Sequence, residues 1–359
     1  MLLFHMETLD TLFYTMDSNL RNFVEPKVRH ENISVTTKKL RVLQRLPYKN
    51  LKGGRVKCPY SMKNTHLEHP EDEILTGDLS VLNWFTAKSK ITVKIDGAPA
   101  IVFGTNPENG KFFVGTKSVF NKVKIKINYS VEDILRNHGN NVRVSEILIA
   151  CFHNLPRISG VIQGDFIGYG GSDTYCPNTI TYKFPKVITK PIIFAPHTTY
   201  SGSNLRDCSA SFGAKVRACS TVLWVRPRVS LTADREDILD FCNFARQMST
   251  LCEFVSEKDA IKIKKEINLC IRENRKVCEY EIAEKCNCDK NLIRLWKLVE
   301  SIKMDLFFYI RADRNISCEI DGRSSEHEGY VITNKYGSYK VVNRTEFSRL
   351  NFTLEKNWS

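Results

Sequence analysis

Ile91-Thr92-Val93-Lys94-Ile95-Asp96-Gly97-Ala98-Pro99-Ala100-Ile101-Val102-Phe103 is the stretch that decides the fold. Residues 91–95 alternate apolar and polar side chains with the period of two that marks a strand. Gly97-Ala98-Pro99 interrupts the run as a turn, and Ala100-Ile101-Val102-Phe103 resumes it. A third run, Lys111-Phe112-Phe113-Val114, follows Asn109-Gly110. An Asn-Gly pair between two strand-like runs is a strong hairpin signal. Antiparallel strands are therefore expected here.

Working outward, residues 131–154 read as helical with a break at Gly139-Asn140-Asn141, and strands return near 160–163, 179–182 and 192–195. After residue 232 the period changes. Ile238, Phe241, Cys242, Ala245, Met248, Cys252 and Val255 fall at spacings of three and four, with Asp234 as a candidate N-cap. Leu292, Leu295, Trp296, Val299 and Leu306 repeat the pattern, so three helices are expected in this part of the chain. Strand-like sequence resumes at Gly329-Tyr330-Val331-Ile332 and Ser338-Tyr339-Lys340-Val341-Val342. Upstream, His66-Leu67-Glu68-His69-Pro70-Glu71-Asp72-Glu73 reads as a polar loop, followed by a short helix near 78–88. The expected class is α+β. Its parts are a basic arm at 1–62, a core in two pieces at 63–204 and 326–359, and a mainly helical insertion at 205–325.

The whole chain has 359 residues, 42% hydrophobic and 10% aromatic, which excludes wholesale disorder. No apolar run approaches the ~20 residues of a membrane-spanning helix, so no transmembrane helix is expected. The N-terminus lacks the basic start and apolar stretch of a signal peptide. Twelve cysteines without framework spacing point to a reducing compartment and a cytoplasmic location, the host cell's if the chain is viral. A net charge of +13 points to a polyanionic partner, nucleic acid first. Residues 1–62 hold eleven Lys/Arg against five Asp/Glu, and 86–126 hold eight lysines against Asp96 and Glu108.

Lys94-Ile95-Asp96-Gly97 is the first candidate for chemistry. A lysine ending a strand before a glycine turn can project its amine into a cleft and attack an electrophile, provided its lone pair is freed. The bland reading is a hairpin turn with a solvent lysine.

Taken with the segments that follow it in order, this stretch resembles the covalent nucleotidyltransferase superfamily of ATP-dependent DNA and RNA ligases and mRNA capping enzymes. Phe113-Val114-Gly115-Thr116-Lys117-Ser118 stands where that family has a strand with a basic residue. Gln163-Gly164-Asp165-Phe166-Ile167-Gly168 is similar to the Gly-Glu-Leu/Phe-Gly segment of RNA ligases, with Asp165 for glutamate. Pro191-Ile192-Ile193-Phe194-Ala195, Glu328-Gly329-Tyr330-Val331-Ile332 and Tyr339-Lys340-Val341-Val342 resemble the later motifs. The chain is more closely similar to uncharacterised ligase-like proteins of large tailed phages. They share Thr65-His66-Leu67-Glu68-His69-Pro70-Glu71-Asp72, Lys117-Ser118-Val119-Phe120-Asn121-Lys122 and Lys340-Val341-Val342-Asn343-Arg344. The likeness covers roughly 63–202 and 326–352, leaving out the arm and the insertion.

The resemblance implies an ATP-grasp-like ligase adenylation domain of antiparallel sheets, and the nineteen residues after Lys340 predict no C-terminal OB-fold. It implies that Lys94 attacks the α-phosphate of ATP to form a lysyl-AMP. Asp96, Gly97, Lys117, Asp165, Phe166, Phe194 and Lys340 would bind the nucleotide, with Phe194 or Phe166 stacking on adenine. Glu328, with Asp165, would hold Mg²⁺. The acceptor would be the 5′-phosphate end of a nucleic acid, RNA in preference to DNA, and the protein a monomer. The family usually has a second lysine where Val342 stands. That departure leaves open a nucleic-acid-binding or virion-associated protein with a ligase-like fold but no turnover. Another acceptor, as in capping or protein AMP-transfer, is a further alternative. Two weaker candidates remain: a metal loop at His66, Glu68, His69, Glu71 and Asp72, and the cysteines Cys270, Cys278, Cys286 and Cys288, which lack paired Cys-x₂-Cys spacing.

Overall fold

The alternation around Lys94 forms strand β1 (Lys90–Lys94) in the computed structural model. The structure describes residues 67–231, 236–313, 315–320, 322–325 and 327–347. The expected arm at 1–62, His66 and the N-cap Asp234 lie outside the described residues. β2 (Ala100–Thr105) and β3 (Phe112–Gly115) form the antiparallel hairpin expected across Asn109-Gly110. β1 does not pair with β2, so the turn between them is not a hairpin. β1 pairs with β14 (Gly329–Asn334), and β14 with β15 (Gly337–Val342), giving a three-stranded antiparallel sheet. Residues 95–99 thus carry the chain from one sheet to another.

The second sheet is built on β2, which pairs on its other side with β4 (Val161–Tyr169). β7 (Ile192–Ser201) follows, then β8 (Ser209–Phe212), and β9 (Val222–Trp224) joins β7 in parallel, making six strands. β8 and β9 fall inside 205–325, so the strictly helical part of that segment is shorter than expected. Helices α3 (Val131–His138) and α4 (Val142–Asn154) flank the Gly139-Asn140-Asn141 break, capped by Ser130 and Asn141. They cover one face of this sheet, where Ile134, Leu148 and Cys151 pack with Ile101, Phe103, Phe166 and Phe194. The other face buries Val102, Phe113 and Val161 with Tyr200 and Leu205. Because both faces are buried, β2 and β3 read as nearly continuous apolar runs.

A four-stranded sheet comprises β5 (Thr174–Tyr175), β6 (Thr181–Lys183), β12 (Ser317–Ile320) and β13 (Arg323–Ser325). Its Tyr175, Tyr182, Cys318 and Ile320 share a core with Ile95, Ile167, Ile193 and Val342. Between β10 (Val229–Leu231) and β11 (Ile310–Ala312), which pair antiparallel, the chain makes its helical excursion. It contains four helices where the periodicity suggested three: α5 (Glu236–Ser249), α6 (Glu257–Arg272), α7 (Glu279–Cys286) and α8 (Lys290–Tyr309). α8 is buried along most of its length because it packs on the other helices and on the three-stranded sheet. Leu295, Trp296, Val299 and Ile302 share one cluster with Tyr330, Ile332, Tyr339 and Val341.

The polar stretch around Pro70 is not a loop. Pro70 opens a short helix, α1 (Pro70–Glu73), where its missing N–H is no loss. Glu71 and Asp72 are buried beneath α8. The short helix expected near 78–88 is α2 (Ser80–Trp84), with Val81, Leu82 and Trp84 buried. Among the described residues, no helix is long and apolar enough to cross a membrane.

Candidate active site

Lys94 is the last residue of β1 and sits opposite Gly329 in the ladder. Its ammonium donates to Glu328 Oε2, and the two side chains are 30% and 12% exposed. Gly329 has a left-handed φ of +151°, and a Cβ there would run into the Val341 carbonyl and Val342. Only glycine lets β14 start this close to β15, which places Glu328 at the rim of the sheet. Burial alone would lower the pKa of Lys94. The charge and hydrogen bond of the Glu328 carboxylate, with the charges of Asp96 and Asp165, together outweigh it and hold the lysine above its ordinary value. In the resting protein the amine is therefore a masked ammonium. Burial in turn raises the Glu328 carboxyl above its usual range, against the pull of Lys94.

Lys340 pairs with Val331 across β14–β15, which puts it on the same face of the sheet as Lys94 by strand parity. Burial, then the charges of Lys94 and Arg344, lowers its pKa. Val342 lies in the rung of Gly329 and Lys94 and is buried with Ile95, Ile167 and Phe347.

The turn after β1 is fixed by Asp96. Its carboxylate accepts from Asn178 Nδ2 at 2.8 Å and from the Thr179 N–H at 3.1 Å, while its own N–H donates to the Tyr182 hydroxyl at 2.7 Å. Asp96 thus ties the turn to the four-stranded sheet. Gly97 follows where a Cβ would stand 2.7 Å from Ile167 Cδ1 and 2.8 Å from Asp165 Cβ, so no larger residue fits against β4. Asp165 is flanked in the sheet by Ala100 and Ala195, two small side chains that leave room above its carboxylate. His197 Nε2 is 3.8 Å from Asp165 Oδ1.

Lys94, Glu328, Lys340, Asp96, Gly97 and Asp165 are therefore grouped where the six-stranded and three-stranded sheets meet. Lys117 is exposed on the 3₁₀ turn after β3, and among the described residues no ion pair holds it. The stacking role expected of Phe166 and Phe194 is not met by their placement. Phe194 is 0% exposed, edge-on to Phe103 and Trp224, and Phe166 is buried edge-on to Tyr169. Both rings belong to the core under α4, so neither offers a free face to a base.

His69 and its neighbours supply what the reading as a polar loop missed. Glu71 accepts from Lys303 Nζ at 2.6 Å and from Arg344 Nη1 at 3.1 Å. Asp72 accepts from Arg344 at 2.9 Å and from Trp296 Nε1 at 2.9 Å. Lys340 N–H donates to the Glu68 carbonyl at 3.1 Å. His69 is thereby held beside the site. Burial, then Arg344, Lys303, Lys340 and Lys94, lowers its pKa well below the usual value, so its imidazole is neutral. Among the described residues its buried Nδ1 has no hydrogen-bond partner, and Glu71 Oε1 stands 3.8 Å away. His197 was missed because an isolated histidine late in a strand carries no local signal.

No group of three or more His, Cys, Asp or Glu is placed to hold a metal ion among the described residues. The Cys286-Asn287-Cys288 run ends α7, with Asn287 in the left-handed C-cap conformation. Glu328 and Asp165 are hard oxygen donors of the kind Mg²⁺ takes. That ion is commonly held by one or two carboxylates plus substrate phosphates and waters, so the residues present fit it without a protein-only cage.

Residues 64–287 and 252–356 match the model of the family described as "Family of unknown function (DUF6267)". The chain belongs to that family. The match runs through the helical excursion, so α5–α8 are part of what the family shares. No curated protein and no solved structure matches the chain.

Proposed function

We propose that this protein is an ATP-dependent nucleotidyltransferase that adenylylates Lys94 and passes the AMP to the 5′-phosphate end of a polynucleotide, in the manner of an RNA ligase. The observation that carries the reading is the placement of Lys94. It ends a strand at a junction of two sheets, ion-paired to Glu328, with Lys340 on its own sheet face and Asp165 and Gly97 on the facing turn and strand. On this reading the two sheets form a nucleotidyltransferase fold with the nucleotide between them.

In the first step the neutral Lys94 amine attacks the α-phosphorus. The N–P bond forms, the bond from the α-phosphorus to the bridging oxygen breaks, pyrophosphate leaves with the electron pair, and the amine proton passes to solvent. A 5′-phosphate oxygen then attacks the same phosphorus, the N–P bond breaks, and Lys94 regains a proton. A 3′-hydroxyl finally displaces AMP from the activated end. Positioning and charge neutralisation do most of the work in such transfers. Lys340 supplies fixed positive charge, and Glu328 and Asp165 would hold Mg²⁺, which neutralises phosphate charge when bound. A second reading, a strand-binding protein without turnover, is favoured by one observation. Val342 is apolar and buried in the rung of Lys94, where ligases have a lysine.

Incubation with α-labelled ATP and Mg²⁺ decides between them. The expected result is an acid-labile, alkali-stable label on the wild type and none on Lys94→Ala. An unlabelled wild type removes the transferase reading, and a label that survives Lys94→Ala moves the nucleophile elsewhere.

A further inference from the structure

The cations nearest the outer end of β1 have no part in the chemistry above. Lys90 opens β1, four residues before Lys94 and on the same face, a span of about 13 Å at the usual strand rise. It is exposed, and its Nζ donates to the carbonyls of Phe212 at 3.3 Å and Gly213 at 3.0 Å. Gly213 N–H in turn donates to the His197 carbonyl at 2.6 Å, and His197 faces Asp165. A continuous line of contacts therefore leads from Asp165, past His197 and the end of β8, to Lys90.

Beyond Lys90 the surface is cationic. Residues 213–231 contain Lys215, Arg217, Arg226 and Arg228 and no Asp or Glu. Lys215, Arg217 and Arg226 are exposed, and none of the three forms an ion pair among the described residues. The segment is held in place from beneath. Trp224 Nε1 donates to the Arg217 carbonyl at 2.8 Å while its ring lies parallel to Phe103. Partial burial, then the charges of Lys215 and Arg226, lowers the pKa of Lys90, as expected of cations gathered without counter-charge. Such a gathering costs free energy in the isolated protein and is relieved by a bound polyanion.

We propose that Lys90, Lys215, Arg217 and Arg226 form the binding surface for a single polynucleotide strand whose 5′-phosphate reaches Lys94. The proposal rests on the nucleotidyl-transfer reading for the position of that end. The distance from Lys94 to Lys90 is a few nucleotides of an extended single strand, so one strand can reach both. Cations spaced along an exposed edge contact successive phosphates without reading bases, so the surface takes strands of any sequence.

The test compares Lys215→Gln/Arg217→Gln/Arg226→Gln with Lys258→Gln/Lys262→Gln/Lys265→Gln, a control triple of exposed lysines on α6. Binding of a fluorescent 5′-phosphorylated RNA oligonucleotide, and of its DNA counterpart, is measured across a range of salt concentrations. Thermal melting confirms that both triples fold. Neutralising three phosphate contacts on a single strand should reduce the slope of log K against log salt by about 2 and weaken binding at 0.1 M salt roughly tenfold to a hundredfold. The control triple should lose less than half as much. A strip triple that keeps the wild-type slope, a control triple that loses as much, or a wild type that binds neither strand overturns the proposal. Label on Lys94 is read on the same samples. A wild type that binds the strand but takes no label sinks the transferase reading alone, and one that takes label with a slope equal to the strip triple's sinks the strip alone.

Discussion

Lys94 is at once the candidate nucleophile and, in the resting protein, a poor one. Its ammonium is held by Glu328 in a half-buried pair, and a nucleophilic amine must first give up its proton. Glu328 thus sets the protonation state of Lys94, and on the proposed transfer reading the charge of a bound nucleotide would draw it away. The sign of its removal follows. Without the carboxylate, burial of Lys94 is opposed only by Asp96 and Asp165, so its pKa falls. In Glu328→Gln, the NMR titration of ¹³C-dimethylated Lys94 should therefore shift to lower pH than in the wild type, where it should lie above the ordinary lysine value of about 10.4. Equal titration in the two proteins would falsify this account of the pair. In the wild type the rate of self-labelling should rise with pH through the neutral and mildly alkaline range, because the reactive neutral amine becomes more populated.

At the level of elements, α1 shows how the site is braced. Two of its three acids, Glu71 and Asp72, are buried against Lys303 of α8 and against Arg344, just beyond β15, so three parts of the chain distant in sequence meet at one ionic cluster. Lys303 is fully buried, and removing it leaves two buried carboxylates, Glu71 and Asp72, to share the one cation Arg344. Lys303→Met should cost about 3–5 kcal/mol of stability, measured as the shift in denaturant midpoint at constant slope. The double variant Lys303→Met/Glu71→Met should recover a substantial part of it, because Asp72 and Arg344 then remain as a balanced pair. A single variant within about 0.5 kcal/mol of the wild type would show the cluster to be solvated and structurally idle. The strands around Lys94 and the α3–α4 break were legible in the sequence because period and capping residues are local signals. The cluster was not, since His69-Pro70-Glu71-Asp72 is polar throughout and its partners lie more than two hundred residues away. Phe166 and Phe194 failed for a related reason, because a strand buried on both faces gives no clue to which side a ring occupies.

For the molecule as a whole, the helical segment presents two opposed indications. Its ends are brought together by β10 and β11, where Leu231 is the direct partner of Ile310, as in an insertion carried on a two-stranded stalk. Residue spacing alone could suggest no more than that. The apolar packing argues the other way. Leu292, Leu295, Trp296, Val299 and Ile302 of α8 lie in the same cluster as Tyr330, Ile332, Tyr339 and Val341, from the sheet whose opposite face carries Lys94 and Lys340. α8 also supplies Lys303 and Trp296 to the acids of α1. The helices are thus the support of the sheet that carries Lys94, which agrees with a family match that runs through them. Replacing residues 236–309 by a short glycine linker, which the stalk accommodates geometrically, should strip one face of the three-stranded sheet and expose a contiguous apolar patch. Such a patch on a monomer leads to association. The truncated protein should sediment as aggregate or bind a hydrophobic dye, and it should take no label at Lys94. A soluble remnant that melts cooperatively and still labels would make the helices an appendage and refute their role as the sheet's support.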